Sequence, residues 1–303
     1  MTSPNGTSRA VLLVTHPWRP EARTLAAQMV DELTKNDITV LVPNNEWAIE
    51  HPRATPIDTD DKDSLAGCEL ALVLGGDGTI LRAAEMVHSA AIAILGVNLG
   101  HVGFLAEAEL NAATAVVDAV VNRKWQVEER LTLDVQVTQS GSVVFSTFAL
   151  NEVSIEKSPQ LRMLDLIVEV DGRPLSRWGC DGVICATPTG STAYAFSAGG
   201  PVVWPEVEAL LLVPLSAHAL FSRPLVVGPS GWLAIELPPS SSAVMWADGR
   251  RSCDLGPGSR IEVRRNVQPV LLARLDDAPF TDRLVAKFDL PVNGWRGLGG
   301  SRG

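Results

Sequence analysis

The sequence lacks the patterns that mark secreted, membrane-spanning and zinc-binding proteins. Its four cysteines show no CxxC pair and no nearby histidine at zinc-ligand spacing, so we expect reduced thiols in a reducing compartment. No apolar run approaches the roughly 18 residues of a membrane span. The first ten residues also lack the basic and apolar segments of a secretory signal. We therefore expect a cytoplasmic protein without a membrane partner.

Cationic side chains are scarce as well. The chain has 25 lysines and arginines against 35 aspartates and glutamates, a net charge of -10. Such a protein repels polyanions, so we expect no nucleic-acid partner, and any anionic substrate must be held locally. With 303 residues, 46% of them hydrophobic, the chain is long enough for two cores, and two domains are expected.

The common nucleotide-binding motifs are missing, because neither GxxxxGK[ST] nor a helix-opening GxGxxG occurs. The sequence has instead Gly75-Gly76-Asp77-Gly78-Thr79, between an apolar run at 69–74 and a helical stretch at 79–89. Glycines let the backbone approach a phosphate, and the helix start supplies free amides. The helix dipole keeps Asp77 charged and able to accept a proton. The alternative is a tight turn in which Asp77 only starts the helix.

The pattern of expected secondary structure changes near residue 130. Before it, strands alternate with helical stretches, which predicts an α/β domain with a parallel sheet at 1–128. After it, short strands separated by turns predict a mainly β, sandwich-like domain at 129–279, with a strand at 270–274. The proline-containing, acidic segment between residue 43 and Leu65 is expected to be a mobile loop, and the glycine-rich tail at 294–303 to be disordered.

The second domain contains three polar features. Thr187-Pro188-Thr189-Gly190-Ser191-Thr192-Ala193-Tyr194 follows an apolar run, and Tyr194 is the only tyrosine of the chain. Such a turn offers many donors and acceptors, although its hydroxyls could simply cap a following helix. Asn151-Glu152 interrupts an apolar strand and either lines a cleft or faces solvent on an edge strand. Asp181 precedes the threonine-rich turn and could be a simple turn aspartate.

In order and spacing these motifs resemble the NAD kinase family over roughly residues 10 to 290. The resemblance is carried by the motifs at 75–79, 98–104, 151–152, 181–182 and 187–194, of which the threonine-rich turn is the most specific. The Asp248-Gly249 pair and the segment 280–284 are similar to actinobacterial members.

The resemblance implies phosphorylation of the 2'-hydroxyl of the adenosine ribose of NAD, giving NADP. It implies ATP with Mg²⁺ as donor and leaves inorganic polyphosphate open as another. It also implies a homotetramer or homodimer in which a neighbouring subunit completes the site, and a carboxyl-terminal segment, 280–303, that returns to the first domain.

The resemblance also implies residue roles. Asp77 is the expected proton acceptor, Gly78 contacts the dinucleotide and Arg82 contributes charge. Asn151 and Glu152 hold hydroxyls of the nicotinamide-side ribose, and Asp181 binds a base or the carboxamide. The expected neighbours of the adenine half are Thr189, Thr192, Ala193, Tyr194 and Ser197.

Two other functions use similar features. Lipid kinases of the diacylglycerol type share a glycine-aspartate turn and a two-domain plan, but their later glycine-serine-glycine-asparagine motif is missing here, as is a membrane-facing amphipathic stretch. A non-catalytic NAD(P) sensor would use the same binding residues without phosphoryl transfer. Asp77 favours catalysis over sensing.

Overall fold

The computed structural model describes residues 9–99, 103–106, 108–109, 113–159, 161–276 and 278–292. The chain divides into two compact units. Unit 1 contains the residues up to Glu129 and those from Leu271 onward, and unit 2 is Arg130–Val270. None of the described helices is long and apolar enough to cross a membrane.

The first part of unit 1 alternates strands and helices, as the sequence predicts. In chain order the elements are β1 (Ala10–Thr15), α1 (Pro20–Lys35), β2 (Thr39–Pro43), β3 (Ala54–Ile57), β4 (Cys68–Leu74), α2 (Asp77–Val87), β5 (Ile94–Asn98), β6 (Ala108–Glu109), α3 (Ala113–Asn122) and β7 (Gln126–Arg130).

Unit 2 is almost entirely strands. They are β8 (Leu133–Gln139), β9 (Ser142–Ala149), β10 (Glu152–Lys157), β11 (Leu164–Val170), β12 (Arg173–Cys180), β13 (Gly182–Ala186), β14 (Leu210–Leu215), β15 (Leu225–Val227), β16 (Trp232–Glu236), β17 (Ala243–Ala247), β18 (Arg251–Leu255) and β19 (Arg260–Arg265), with the single-turn helix α4 (Tyr194–Ser197) after β13. The chain ends with β20 (Val270–Arg274) and α5 (Phe280–Phe288).

The sheet of unit 1 has the strand order β3-β2-β1-β4-β5-β20-β7, with β6 beside β5. The strands from β3 to β5, and β20 on β5, pair in parallel. Helices α1 and α3 share a buried cluster with one face of the sheet. Helix α2 lies on the other face, where a Cβ on Gly96 would come within 2.5 Å of Ile80.

This strand order places a topological switch point between β1 and β4. The chain runs from β1 to β2 on one side, whereas β4 lies on the other side of β1. Open α/β sheets bind ligands outside the carboxyl ends of the strands at such a point. Asp77 follows the end of β4 directly, so the fold brings it to that crevice.

Unit 2 contains two antiparallel six-stranded sheets, ordered β15-β14-β13-β10-β17-β18 and β12-β11-β16-β19-β8-β9. Alternate residues of both sheets form one buried cluster, and Trp178 is its largest fully buried side chain. This face-to-face packing is a β-sandwich. The two units together confirm the expected fold class.

Several expected elements differ from the structure. The strand at 270–274 was expected in the second domain, but it lies in the sheet of unit 1 beside β5. The segment expected to be a mobile loop contains β3 and a short 3₁₀ helix, Lys62–Leu65. Strands β14, β17 and β18 were not anticipated. The glycine-rich tail lies outside the described residues.

Candidate active site

Asp77 is held in place by a loop that is distant in sequence. Its Oδ2 accepts the backbone N–H of Phe104 and its Oδ1 that of Leu105, both at 3.1 Å. A Cβ on Gly103 would lie 2.3 Å from Oδ1, so only glycine permits this approach. The N-cap of α2 is Gly76, and Asp77 is the first helical residue. The carboxylate is therefore fixed by the loop at 103–105, which disfavours the interpretation of Asp77 as a simple helix-start residue.

The glycine turn is closed on one side and open on the other. A Cβ on Gly75 would collide with Thr79 Oγ1 at 2.2 Å, whereas a Cβ on Gly76 or Gly78 would meet nothing within 4 Å. The outer side of the turn therefore leaves room for a ligand beside the amides of the helix start. Arg82, one turn further along α2, pairs with Glu85 at 2.7 Å.

In unit 2, Asn151 and Glu152 form a buried corner at the start of β10. Each residue is only 8% exposed. Glu152 Oε2 accepts the backbone N–H of Tyr194 at 3.3 Å. Burial and the neighbouring carboxylate of Asp248 raise the pKa of Glu152 to about 8, and the Tyr194 N–H only partly offsets them. Glu152 therefore holds a proton at neutral pH and can donate a hydrogen bond.

The threonine-rich turn packs against this corner through its backbone. Thr187 donates from Oγ1 to the carbonyl of Leu150 at 2.6 Å and from its backbone N–H to the carbonyl of Asn151 at 2.9 Å. A Cβ on Gly190 would lie 2.0 Å from that Asn151 oxygen. The glycine of the turn is thus required for close contact between two backbones.

A pocket of about 280 Å³ opens beside the corner. Its lining residues are Glu152, Ser154, Glu156, Tyr194, Trp246 and Gly249. Two of the lining residues, Glu152 and Glu156, carry acidic groups, and burial together with the carboxyl groups of Glu156, Glu152 and Asp181 raises the pKa of Tyr194. A ligand group that donates hydrogen bonds, such as a sugar hydroxyl, suits such a lining.

Asp181 lies between β12 and β13 and forms an ion pair. Lys157 donates from Nζ to Asp181 Oδ1 at 2.6 Å. This hydrogen bond lowers the pKa of Asp181, and the Ser216 side chain and His218 contribute to the same shift. Asp181 is therefore ionised at neutral pH and can accept a hydrogen bond from a ligand amide.

The other predicted residues of unit 2 surround α4. Thr189 is buried, and Thr192 donates from Oγ1 to its carbonyl at 3.2 Å. Ala193 is the residue before α4, and Ser197 is its exposed last residue. The eight predicted residues of unit 2 are thus Asn151, Glu152, Asp181 and five in the threonine-rich turn and α4, whereas Asp77, Gly78 and Arg82 belong to unit 1.

Sequence reasoning missed part of the pocket lining. Ser154 and Glu156 were not singled out, although they follow Glu152 at a spacing of two and so share its face of β10. Trp246 was missed because β17 itself was not predicted, and it lies beside Ser154 in the neighbouring strand. The described residues contain no group of three or more His, Cys, Asp or Glu that could hold a metal ion.

Comparison with known proteins gives consistent matches. Two family models match the chain, the ATP-NAD kinase N-terminal domain at residues 11–125 and the ATP-NAD kinase C-terminal domain at residues 150–275. The chain is 54% identical over 308 residues to an NAD kinase of Thermobifida fusca. The aligned region covers 98% of this chain and 94% of that protein.

Two solved structures are similar over most of the chain. A yeast NADH kinase complexed with NADH has a TM-score of 0.82 at 24% identity, covering 97% of this chain and 89% of that one. An NAD kinase from Archaeoglobus fulgidus in complex with ATP has a TM-score of 0.70 at 25% identity, covering 93% of this chain and 98% of that one.

Proposed function

The chain belongs to the NAD kinase family, which phosphorylates NAD, and we propose that Asp77 accepts the proton of the 2'-hydroxyl of the adenosine ribose in this reaction. The observation that carries the proposal is the carboxylate fixed by two backbone N–H groups at the topological switch point. Each oxygen accepts one such hydrogen bond and retains a second lone pair for the incoming proton. Because the chain belongs to this family, the alternative function of a lipid kinase of the diacylglycerol type is excluded.

The reaction requires positioning more than covalent chemistry by the protein. The ribose oxygen forms a bond to the γ-phosphorus of the donor while the bond from that phosphorus to its bridging oxygen breaks. The hydroxyl proton passes to Asp77. The open side of the glycine turn, at Gly76 and Gly78, offers backbone amides for phosphate oxygens. Arg82 of the same helix contributes charge in this proposal by exchanging its ion pair with Glu85 for a phosphate.

The dinucleotide is held by residues of unit 2. Protonated Glu152 and Asn151 suit the hydroxyls of the nicotinamide-side ribose, since the pocket beside them is acidic. Asp181, kept ionised by Lys157, accepts a hydrogen bond from an amide or base amine of the ligand. Around the adenine half lie residues that offer hydroxyls, backbone groups and one ring, namely Thr189, Thr192, Ala193, Tyr194 and Ser197.

ATP is the donor we propose, together with Mg²⁺. The Archaeoglobus fulgidus structure is a complex with ATP, which supports this choice. Mg²⁺ bound to the donor neutralises charge on the phosphates, and it commonly binds substrate phosphates with one or two carboxylates. Because the chain has a net charge of -10, such a cation reduces the repulsion between the protein and the phosphates of the donor. Inorganic polyphosphate is a second donor, to be compared with ATP in the same assay.

The variant Asp77→Asn tests the assignment of the base. The amide preserves the shape of the side chain but cannot accept the proton, so kcat should fall by about 10²- to 10⁴-fold. The measurement is NADP formation from NAD, ATP and Mg²⁺, read out by an NADP-specific dehydrogenase. The matched control is Asp118→Asn on the exposed side of α3, which should keep the wild-type rate. Wild-type turnover in Asp77→Asn would exclude Asp77 as the base.

We also propose that the protein is a cytoplasmic homodimer or homotetramer. Unit 2 exposes several apolar side chains near its edge strand β15, including Leu220, Phe221 and Val226. An edge strand with exposed apolar residues is suited to pairing with a second copy. Light scattering on the purified protein should give two or four times the mass of one chain.

A further inference from the structure

The hairpin turn between β17 and β18 reaches the corner that holds Asn151 and Glu152. Asp248 and Gly249 form this turn with φ angles of 51° and 64°. Two consecutive positive φ values define a type I' turn, in which aspartate or asparagine followed by glycine is preferred. The backbone N–H of Asp248 donates to the carbonyl of Glu152 at 2.9 Å, so the turn is joined to the start of β10.

The side chain of Asp248 accepts three consecutive backbone N–H groups of that corner. Oδ1 accepts from Asn151 at 2.7 Å and from Glu152 at 3.3 Å, and Oδ2 accepts from Leu150 at 3.0 Å. Arg251 donates to Oδ2 at 2.7 Å. The Asp248 side chain is 2% exposed, so these are contacts in a site with little water to replace them.

These contacts exceed what the hairpin itself needs. A type I' turn is formed by backbone conformation and requires no buried carboxylate. Burying a carboxylate is costly unless its charge is paired and hydrogen-bonded. All the backbone donors to Asp248 belong to residues 150–152, and two of those residues are the ones assigned to NAD.

We propose that Asp248 is a positioning residue for NAD binding, which fixes the backbone from which Asn151 and Glu152 reach the dinucleotide. It does not touch the reacting atoms. Arg251 supports it by neutralising the buried carboxylate, and Arg251 is itself held by Thr147 Oγ1 at 3.0 Å and over the ring of Phe148 at 4.4 Å. The proposal rests on the binding roles proposed above for Asn151 and Glu152.

The charges around Glu152 come from several elements. Asp248 approaches it from the β17–β18 hairpin, where Arg251 is the ion-pair partner of Asp248, the Tyr194 N–H approaches from α4, and Glu156 lies on the same face of β10. Burial raises the pKa of Asp248, and its N–H donors and Arg251 offset part of that rise. Among the hydrogen bonds described, Asp248 accepts three backbone N–H groups and the Arg251 guanidinium, whereas the Glu152 carboxyl accepts the Tyr194 N–H, so Asp248 is the better paired of the two acids.

The variant Asp248→Asn tests the proposal. Asparagine keeps the turn, but its NH₂ group cannot accept hydrogen bonds and would face the Leu150 N–H or the Asn151 and Glu152 N–H groups. The matched control is Asp171→Asn, because Asp171-Gly172 is also a hairpin turn with two positive φ values. The exposed carboxylate of Asp171 accepts only the Trp232 N–H, at 3.0 Å, among the hydrogen bonds described.

Two measurements on the full-length protein decide the outcome. In Asp248→Asn, amide hydrogen exchange at 150–152 without NAD should become faster by at least about tenfold, as expected for local opening. The KM for NAD should rise about tenfold or more while kcat changes much less, since a ground-state contact is lost. Asp171→Asn should leave both unchanged. A merely structural role would lower the melting temperature without moving KM.

A third variant separates failure of this proposal from failure of the binding assignment. Asn151→Ala removes a side chain proposed to contact NAD and should raise KM by itself. If Asn151→Ala raises KM but folded Asp248→Asn does not, or exchange at 150–152 is unchanged, the positioning role is wrong. If Asn151→Ala leaves the KM for NAD unchanged, Asn151 does not bind NAD as proposed. The positioning role of Asp248 is then wrong as well, because it depends on that binding role.

Discussion

Glu152 is a residue whose folded environment changes its chemistry. Its pKa is raised from 4.5 to about 8 by burial and by Asp248. Between these values the folded protein retains a proton that the unfolded chain has released. The free energy of unfolding must therefore decrease as the pH rises from 4.5 through about 8, and the stabilisation is fully present only below 4.5.

The variant Glu152→Gln should remove this pH dependence. The amide cannot ionise, so above pH 8 the variant avoids a second buried negative charge beside Asp248. Thermal melting measured from pH 5 to pH 9 should show a decline in the wild type that is much smaller in Glu152→Gln. The control is Glu206→Gln, since Glu206 is an exposed glutamate of the same unit. Parallel melting curves for wild type and Glu152→Gln would contradict a proton held by Glu152.

At this scale the local sequence pattern identifies candidate residues but not the partners that hold them. Asp77 could be identified because glycines and a strand end surround it locally. Its carboxylate is held by Phe104 and Leu105, which are 27 and 28 positions away. In the sequence, Asp248 stands out only through the Asp248-Gly249 pair, which is similar to that of actinobacterial members of the family. Its role is not visible there, because its hydrogen bonds to residues 150–152 span almost 100 positions. Such contacts depend on the fold, and local pattern does not encode them.

At the scale of elements, the close packing of the threonine-rich turn against the start of β10 requires one glycine, Gly190. A Cβ on Gly190 would lie 2.0 Å from the backbone oxygen of Asn151, and a backbone atom cannot move aside as a flexible side chain can. Gly190→Ala should therefore separate the two elements and displace the Asn151 side chain.

We expect Gly190→Ala to lower the free energy of unfolding by about 1–3 kcal/mol, the usual cost of overpacking. It should also raise the KM for NAD. Urea denaturation and steady-state kinetics measure the two effects. Gly228→Ala is the control, because a Cβ at Gly228 meets nothing within 4 Å. If Gly190→Ala behaves like Gly228→Ala in both measurements, the close contact of the two backbones is not required.

Elements with strong local signals were predicted closely, and others were not. The apolar run at 69–74 and the helical stretch at 79–89 correspond to β4 and α2 within two residues at each end, since the glycine turn between them marks the break. Strand β14 contains a proline, β18 has mixed polarity, and β17 is an apolar run of only five residues, too short for its periodicity to identify a strand. Their pairing partners, more than their own composition, make them strands.

At the scale of the whole molecule, the order of the chain does not follow the order of the units. After completing unit 2, the chain returns to unit 1 with β20 and α5. Strand β20 was misplaced in the sequence interpretation because a short apolar strand carries no information about which sheet it joins. It pairs with β5, far earlier in the chain, and buries Leu272 and Ala273 there.

This return brings α5 to the loop that holds Asp77. The ring of Phe104 contacts the rings of Phe280 and Phe288, with centroids 5.8 Å and 5.9 Å apart. Arg283 donates to the carbonyl of Phe104 at 3.4 Å. The backbone N–H of the same Phe104 donates to Asp77. Helix α5 therefore supports the carboxylate of Asp77 through one residue, Phe104.

Replacing both Phe280 and Phe288 by alanine should loosen this support without removing any proposed ligand contact. Offset aromatic pairs contribute about 0.5–1.5 kcal/mol each beyond their buried area, so the loop at 103–105 should gain mobility and kcat should fall by about tenfold. The KM for NAD should change less, because the residues proposed to bind the dinucleotide belong mainly to unit 2. The exposed Leu290, just after α5, provides the control variant Leu290→Ala. A double variant that melts like the wild type and keeps full kcat would show that Asp77 is positioned without α5.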